Sequence, residues 1–175
     1  MTAAESGAEA IPAHTIVVGI GNPYRGDDGV GVAVARLLAD LNRDDVCIIT
    51  AAGEGITLLE RWTPRTRVFL VDAARSGHAP GTVHRFDATR EPLPTAMFGW
   101  CSTHAFGIAG AIELARSMGR LPREMIVYGI EAGTFRSGVG LSPAVQQAAH
   151  AVAARIRAEV TGRNHETLAT GNRDA

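Results

Sequence analysis

The chain has 175 residues with 17 basic and 18 acidic side chains, a length that predicts one domain around a single core. Apolar residues make up 46% and charged residues 20%, which argues against a disordered or fibrous chain. A net charge of −1 gives no general pull toward nucleic acid or anionic lipid, and no apolar run approaches the ~20 residues of a membrane span. Two cysteines, Cys47 and Cys101, with no CxxC pair, argue against a disulfide scaffold or a cysteine zinc site. Residues 1–13 carry no basic residue and no signal-like apolar stretch and read as a flexible leader. A cytoplasmic domain, monomeric by default, is the expectation.

In chain order, HTIVVGI (14–20) is a continuous apolar run followed by GNPYRGDDG. Val30, Val34, Leu37, Leu38 and Leu41 then share a face at helical spacing, and VCIIT (46–50) closes a strand–helix–strand unit. GITLLERW (55–62) predicts a short helix ended by Pro64. TRVFLVDAA (66–74) reads as a central strand apolar on both faces, whereas GTVHRFD (81–87) alternates like an edge strand. After a Pro-rich connection, Ile108, Ala111, Ile112, Ala115 and Met118 repeat at helical spacing, and MIVYGIE (125–131) is another buried strand. Pro143 opens a last helix with Val145, Ala149, Val152, Ile156 and Val160 as its buried stripe. Residues 14–160 form one domain on this reading, and 161–175, polar and aperiodic, form a disordered tail. The alternation predicts an α/β fold: a mostly parallel twisted sheet of about five strands, helices on both faces and an antiparallel edge strand.

In such sheets the site lies beyond the carboxyl ends of the strands. There the sequence places Asp27 and Asp28 after the first strand, Asp72 at the end of 66–72, His104 before the next helix, and Glu131. Asp27 is expected to cap the first helix, and Asp28 to gain from its dipole. A carboxylate such as Asp72 that ends a buried strand must be paired, hydrogen-bonded or metal-bound. A helix start disfavours protonated His104, leaving the neutral imidazole a metal requires. Asp28, Asp72 and His104 suit a divalent metal with open positions, whether zinc, nickel, iron or manganese. His14, His78, His84, His150 and His165 have no acidic neighbour in that set and are expected to be structural or solvent-facing. Other chemistries fit poorly. Tyr24 stands where a dinucleotide loop needs its third glycine, and neither GK[ST] nor GxSxG occurs. Cys101 and His104, close together at a helix start, face each other poorly for nucleophilic catalysis.

With these residues assembled, the chain resembles the hydrogenase maturation protease family. GIGNPYRGDDGVGVAVARLL (19–38), FLVDAARSG (69–77), STHAFGI (102–108) and GLSPAVQQA (140–148) match its motifs in order, from about Ile16 to Ala158. The resemblance implies an endopeptidase that removes a C-terminal extension from the large-subunit precursor of a nickel–iron hydrogenase. It implies Asp28, Asp72 and His104 as catalytic and metal-contacting residues, with nickel carried by the substrate and other divalent ions such as zinc able to enter. It also assigns substrate recognition to Gly53 and Gly55 in AAGEG (51–55), where the family often has a GGT-like turn; here Glu54 adds a charge. The rival readings are an aspartic dyad of Asp28 and Asp72 and a nickel-sensing or precursor-binding factor that does not cut.

Overall fold

The structure is a computed structural model and describes residues 14–52, 60–98 and 107–169, with side chains of the last helix through residue 162. Runs of β-branched and apolar residues form β1 (Thr15–Ile20), β2 (Val46–Ala51), β3 (Arg67–Ala74), β4 (Val83–Asp87) and β5 (Glu124–Glu131). Every residue of β1 and β3 is buried, as strands covered on both faces require. Among the described residues the sheet order is β2-β1-β3-β5-β4. Its pairings are parallel except that between β4 and β5. The alternating segment 81–87 thus supplies the antiparallel edge strand expected of it.

The helices are α1 (Val30–Leu37), the single turn α2 (Thr95–Phe98), α3 (Ile108–Ser117) and α4 (Pro143–Ala169). α1 and α4 cover one face, where Val34, Leu38, Val145, Val152 and Ile156 join Val17, Phe69, Val71 and Tyr128 in one core. α2 and α3 cover the other, where Phe98, Ile108 and Ile112 join Val18, Leu70 and Val127. The predicted stripe of α4 is buried throughout, from Val145 to Val160. Its helical backbone continues past Thr161 to Ala169. The predicted helix at 55–62 falls mostly on residues 53–59, which lie outside the described residues.

Side chains alternate across the sheet. Phe69, Val71 and Ala73 face the α1/α4 core while Val68, Leu70 and Ala74 face the other, so Asp72 belongs to the α3 side. In β5, Ile126, Tyr128 and Ile130 face α1/α4 and Met125 and Val127 do not, which puts Glu131 on the α3 side as well. β1 lies between β2 and β3, so the chain winds outward in both directions from their junction. In open sheets of this order such a junction is where the crevice falls, here at the carboxyl ends of β1 and β3. The close helix-on-strand contact there falls at Gly31, where any Cβ would collide with the carbonyl oxygens of Ile20 and Val71. Tyr24 points away and is 80% exposed.

Candidate active site

The chain leaves β1 through Gly21, whose φ of +131° is closed to most side chains and where any Cβ would collide with the Asp28 carbonyl oxygen. It then makes a 3-10 turn over Gly26–Gly29 before α1 begins. Three residues per turn throw consecutive side chains about 120° apart, so neighbouring aspartates diverge. Asp27 is fully buried and does not cap the helix as expected. Its Oδ2 accepts the N–H groups of Gly133 and Thr134 at 2.8 and 2.9 Å and the Ser142 hydroxyl at 3.0 Å. Its Oδ1 accepts the Ser142 N–H at 2.6 Å. The capping expectation fails because the 3-10 turn separates the aspartates from the α-helical start, while the β5–α4 loop presents its donors to the Asp27 carboxylate.

Asp28 diverges toward the strand ends. Its Oδ2 accepts the Asn22 N–H at 3.2 Å, fixing the carboxylate within the loop that follows β1. Asp72 belongs to the neighbouring strand β3, and its Oδ1 accepts the Ala73 N–H at 2.8 Å. Both carboxylates are buried, at 7% and 8% exposure. Burial pushes the Asp72 carboxyl up to about 8, the Ala73 N–H pulls it back in part, and the charge of Asp28 pushes it further up. The Asp72 carboxyl therefore favours its protonated form at neutral pH. The crevice thus pairs a carboxylate held by backbone with a nearby carboxylic acid, an arrangement suited to gripping a divalent ion or relaying a proton.

Of the other sequence-predicted site residues, His104, Gly53 and Gly55 lie outside the described residues, as does Cys101. α3, which begins at Ile108, covers the sheet face to which Asp72 belongs. β2 ends at Ala51, whose carbonyl accepts the Gly21 N–H at 3.0 Å, which ties the end of β2 to the loop that carries Asp28.

Residues 32–159 match the family model described as hydrogenase maturation protease. The chain belongs to the hydrogenase maturation protease family. It is similar to the hydrogenase 2 maturation protease of Escherichia coli (strain K12), 27% identical over 134 residues that cover 75% of this chain and 80% of that one. It is also similar to the hydrogenase expression/formation protein HoxM of Azotobacter vinelandii, 29% identical over 154 residues, 81% of this chain and 73% of the other. Its fold matches that of the hydrogenase maturating endopeptidase HybD from E. coli with a TM-score of 0.71, at 22% identity over 85% of this chain and 93% of the other. The family is one of peptide hydrolases. Among the described residues of this protease, no helix is long and apolar enough to cross a membrane.

The protease carries a second polar cluster on the same sheet edge, which sequence reasoning missed. Glu131 is 1% exposed, and its Oε1 accepts the Ser76 N–H at 2.8 Å and the Ser76 hydroxyl. His84 Nε2 lies 3.3 Å from the same oxygen and His78 Nδ1 3.9 Å from it. The expectation that His78 and His84 lack an acidic neighbour is therefore wrong; His14 and His150 are exposed as expected. The β4–β5 register brings them together, since His84 pairs with Gly129, two residues before Glu131. The one sequence signal was Glu131 at a buried strand end; nothing local indicated which strand would lie beside it.

Proposed function

We propose that this protease removes the C-terminal extension of a nickel–iron hydrogenase large-subunit precursor after nickel insertion, with Asp28, Asp72 and His104 contacting the nickel that the precursor carries. The observation that carries the reading is the burial of Asp28 and Asp72, from two separate elements, at the β1/β3 crevice of a maturation protease. Asp28, fixed by the Asn22 N–H, offers a carboxylate that need not reorganise when a cation arrives. Asp72 releases its proton on ligation, which makes nickel capture pH-dependent. His104 adds a neutral imidazole. The bound ion polarises the scissile carbonyl, a water oxygen adds to the carbonyl carbon, and the proton lost by that water passes to the departing amine as the C–N bond breaks. Gly53 and Gly55, following β2, are assigned to holding the precursor beside the crevice. The reaction takes place in the cytoplasm on this reading, where the precursor is assembled.

An aspartic dyad would also raise one carboxyl. Here burial is the largest cause of the Asp72 shift and the Asp28 charge the smallest, which is the pattern of a desolvated acid rather than of two carboxylates sharing one proton.

The test is to mix the purified protein with nickel-loaded and nickel-free precursor and follow loss of the C-terminal peptide by mass spectrometry. Trimming confined to the loaded precursor, and abolished by Asp28→Asn or His104→Ala, is expected. Equal trimming of both precursors, or normal rates in those variants, would defeat the assignment.

A further inference from the structure

We propose that His78, His84 and Glu131 form a second divalent transition-metal site of zinc type, separate from the Asp28/Asp72 crevice. One ligand atom from each of the three lies within 4.8 Å of the others. Zinc with nitrogen and oxygen ligands at about 2.0–2.1 Å in a tetrahedron sets its donor atoms about 3.4 Å apart. His84 Nε2 and Glu131 Oε1 already meet that spacing at 3.3 Å. His78 Nδ1 is 3.9 Å from the same oxygen and 2.8 Å from Ser76 Oγ; its side chain is 61% exposed, so a small swing of this one ring exchanges the Ser76 contact for the ion and closes the set.

The surroundings favour an ion at this place. Glu131 is a nearly inaccessible carboxylate, and among the described residues no arginine or lysine pairs with it. A single divalent ion would give it a positive partner and take a lone pair from each neutral imidazole. The supports are in position. Ser76 donates its N–H and its hydroxyl to Glu131, as groups behind a ligating carboxylate commonly do. The His84 ring stacks on Phe86, and Phe86 meets Phe98 edge-to-face, which limits how far His84 can turn. The ligands come from β5, β4 and the loop joining β3 to β4, so an ion here ties that loop to the sheet edge. Two imidazoles and one carboxylate suit zinc and its neighbours rather than magnesium or calcium, and they leave a fourth position for water. This site does not depend on the peptidase assignment.

The test is zinc binding by the metal-stripped full chain, measured by competition with a chromophoric chelator. To silence the crevice it uses the variant Asp28→Asn/Asp72→Asn. That protein should keep one tight zinc equivalent, and adding His78→Ala should weaken it by roughly tenfold or more. Adding His84→Ala as well should abolish it. His78 lies on an exposed loop, so its single replacement reads the site without threatening the fold; circular dichroism of each metal-free variant checks this. Absence of tight zinc binding in the crevice-silenced protein, or affinity unchanged by His78→Ala, would overturn the proposal.

Discussion

Asp27 accepts two hydrogen bonds from Ser142, one from its backbone N–H at 2.6 Å and one from its hydroxyl at 3.0 Å. A turn that follows the first strand is thereby fastened to the start of the last helix. Asp27→Ala takes a buried acceptor away from the partly buried Gly133, Thr134 and Ser142 donors and should cost about 2–4 kcal/mol of stability. Ser142→Ala removes only the hydroxyl donor and should cost about 1 kcal/mol. Urea unfolding of the two variants measures the ordering, and equal losses would contradict it.

Asp72 predicts a pH dependence with a definite sign. Its folded-state value of about 8 lies above the ordinary 3.8, so between those limits the folded chain holds more protons than the unfolded one. Its contribution to stability is fully present below pH 3.8 and is lost as pH rises through about 8. Asp72→Asn cannot titrate, so the metal-free variant should lose less stability than the parent between about pH 5 and pH 8. Denaturant midpoints across that range decide the matter; parallel slopes would exonerate Asp72.

Asp28→Asn separates chemistry from folding. The amide oxygen can still accept the Asn22 N–H, so stability should change by less than about 1 kcal/mol. Precursor trimming should nevertheless fall by about 100-fold or more, because the negative charge that grips the cation is gone. A stable variant that still trims would remove Asp28 from the catalytic set.

Gly31→Ala tests the seating of α1. The added methyl meets backbone carbonyls on both β1 and β3, which cannot rotate away, so α1 must lift from the sheet. A loss of about 3 kcal/mol is expected. Gly140→Ala enters open space and should change stability by only a few tenths of a kcal/mol by comparison. Thermal melts of the pair read the difference directly.

Much of the sheet is legible in the sequence because its strands are apolar on both faces. Val68–Val71 and Met125–Val127 can only be central, while the alternation from Val83 to Phe86 belongs to an edge. The carboxyl-edge location of Asp28 and Asp72 follows from the same pattern, since Asp28 stands between the first apolar strand and the stripe of α1, and Asp72 interrupts an apolar strand near its end. The role of Asp27 is not legible, because its partners lie 106 to 115 residues away and no local signal names them. The meeting of His84 with Glu131 is hidden for a related reason. It requires β4 to run antiparallel beside β5 in one register, and a strand's own residues do not state which neighbour it will take.

The sheet order has a consequence for how the protein comes into being. β5 is the last strand made, yet it sits between β3 and β4, which are synthesised earlier. As a nascent chain emerges, β4 has no neighbour, His84 has no carboxylate beside it, and Asp27 waits for Ser142. Translation must be nearly finished before β4 finds its place, so the sheet edge that carries His84 and Glu131 closes late in synthesis.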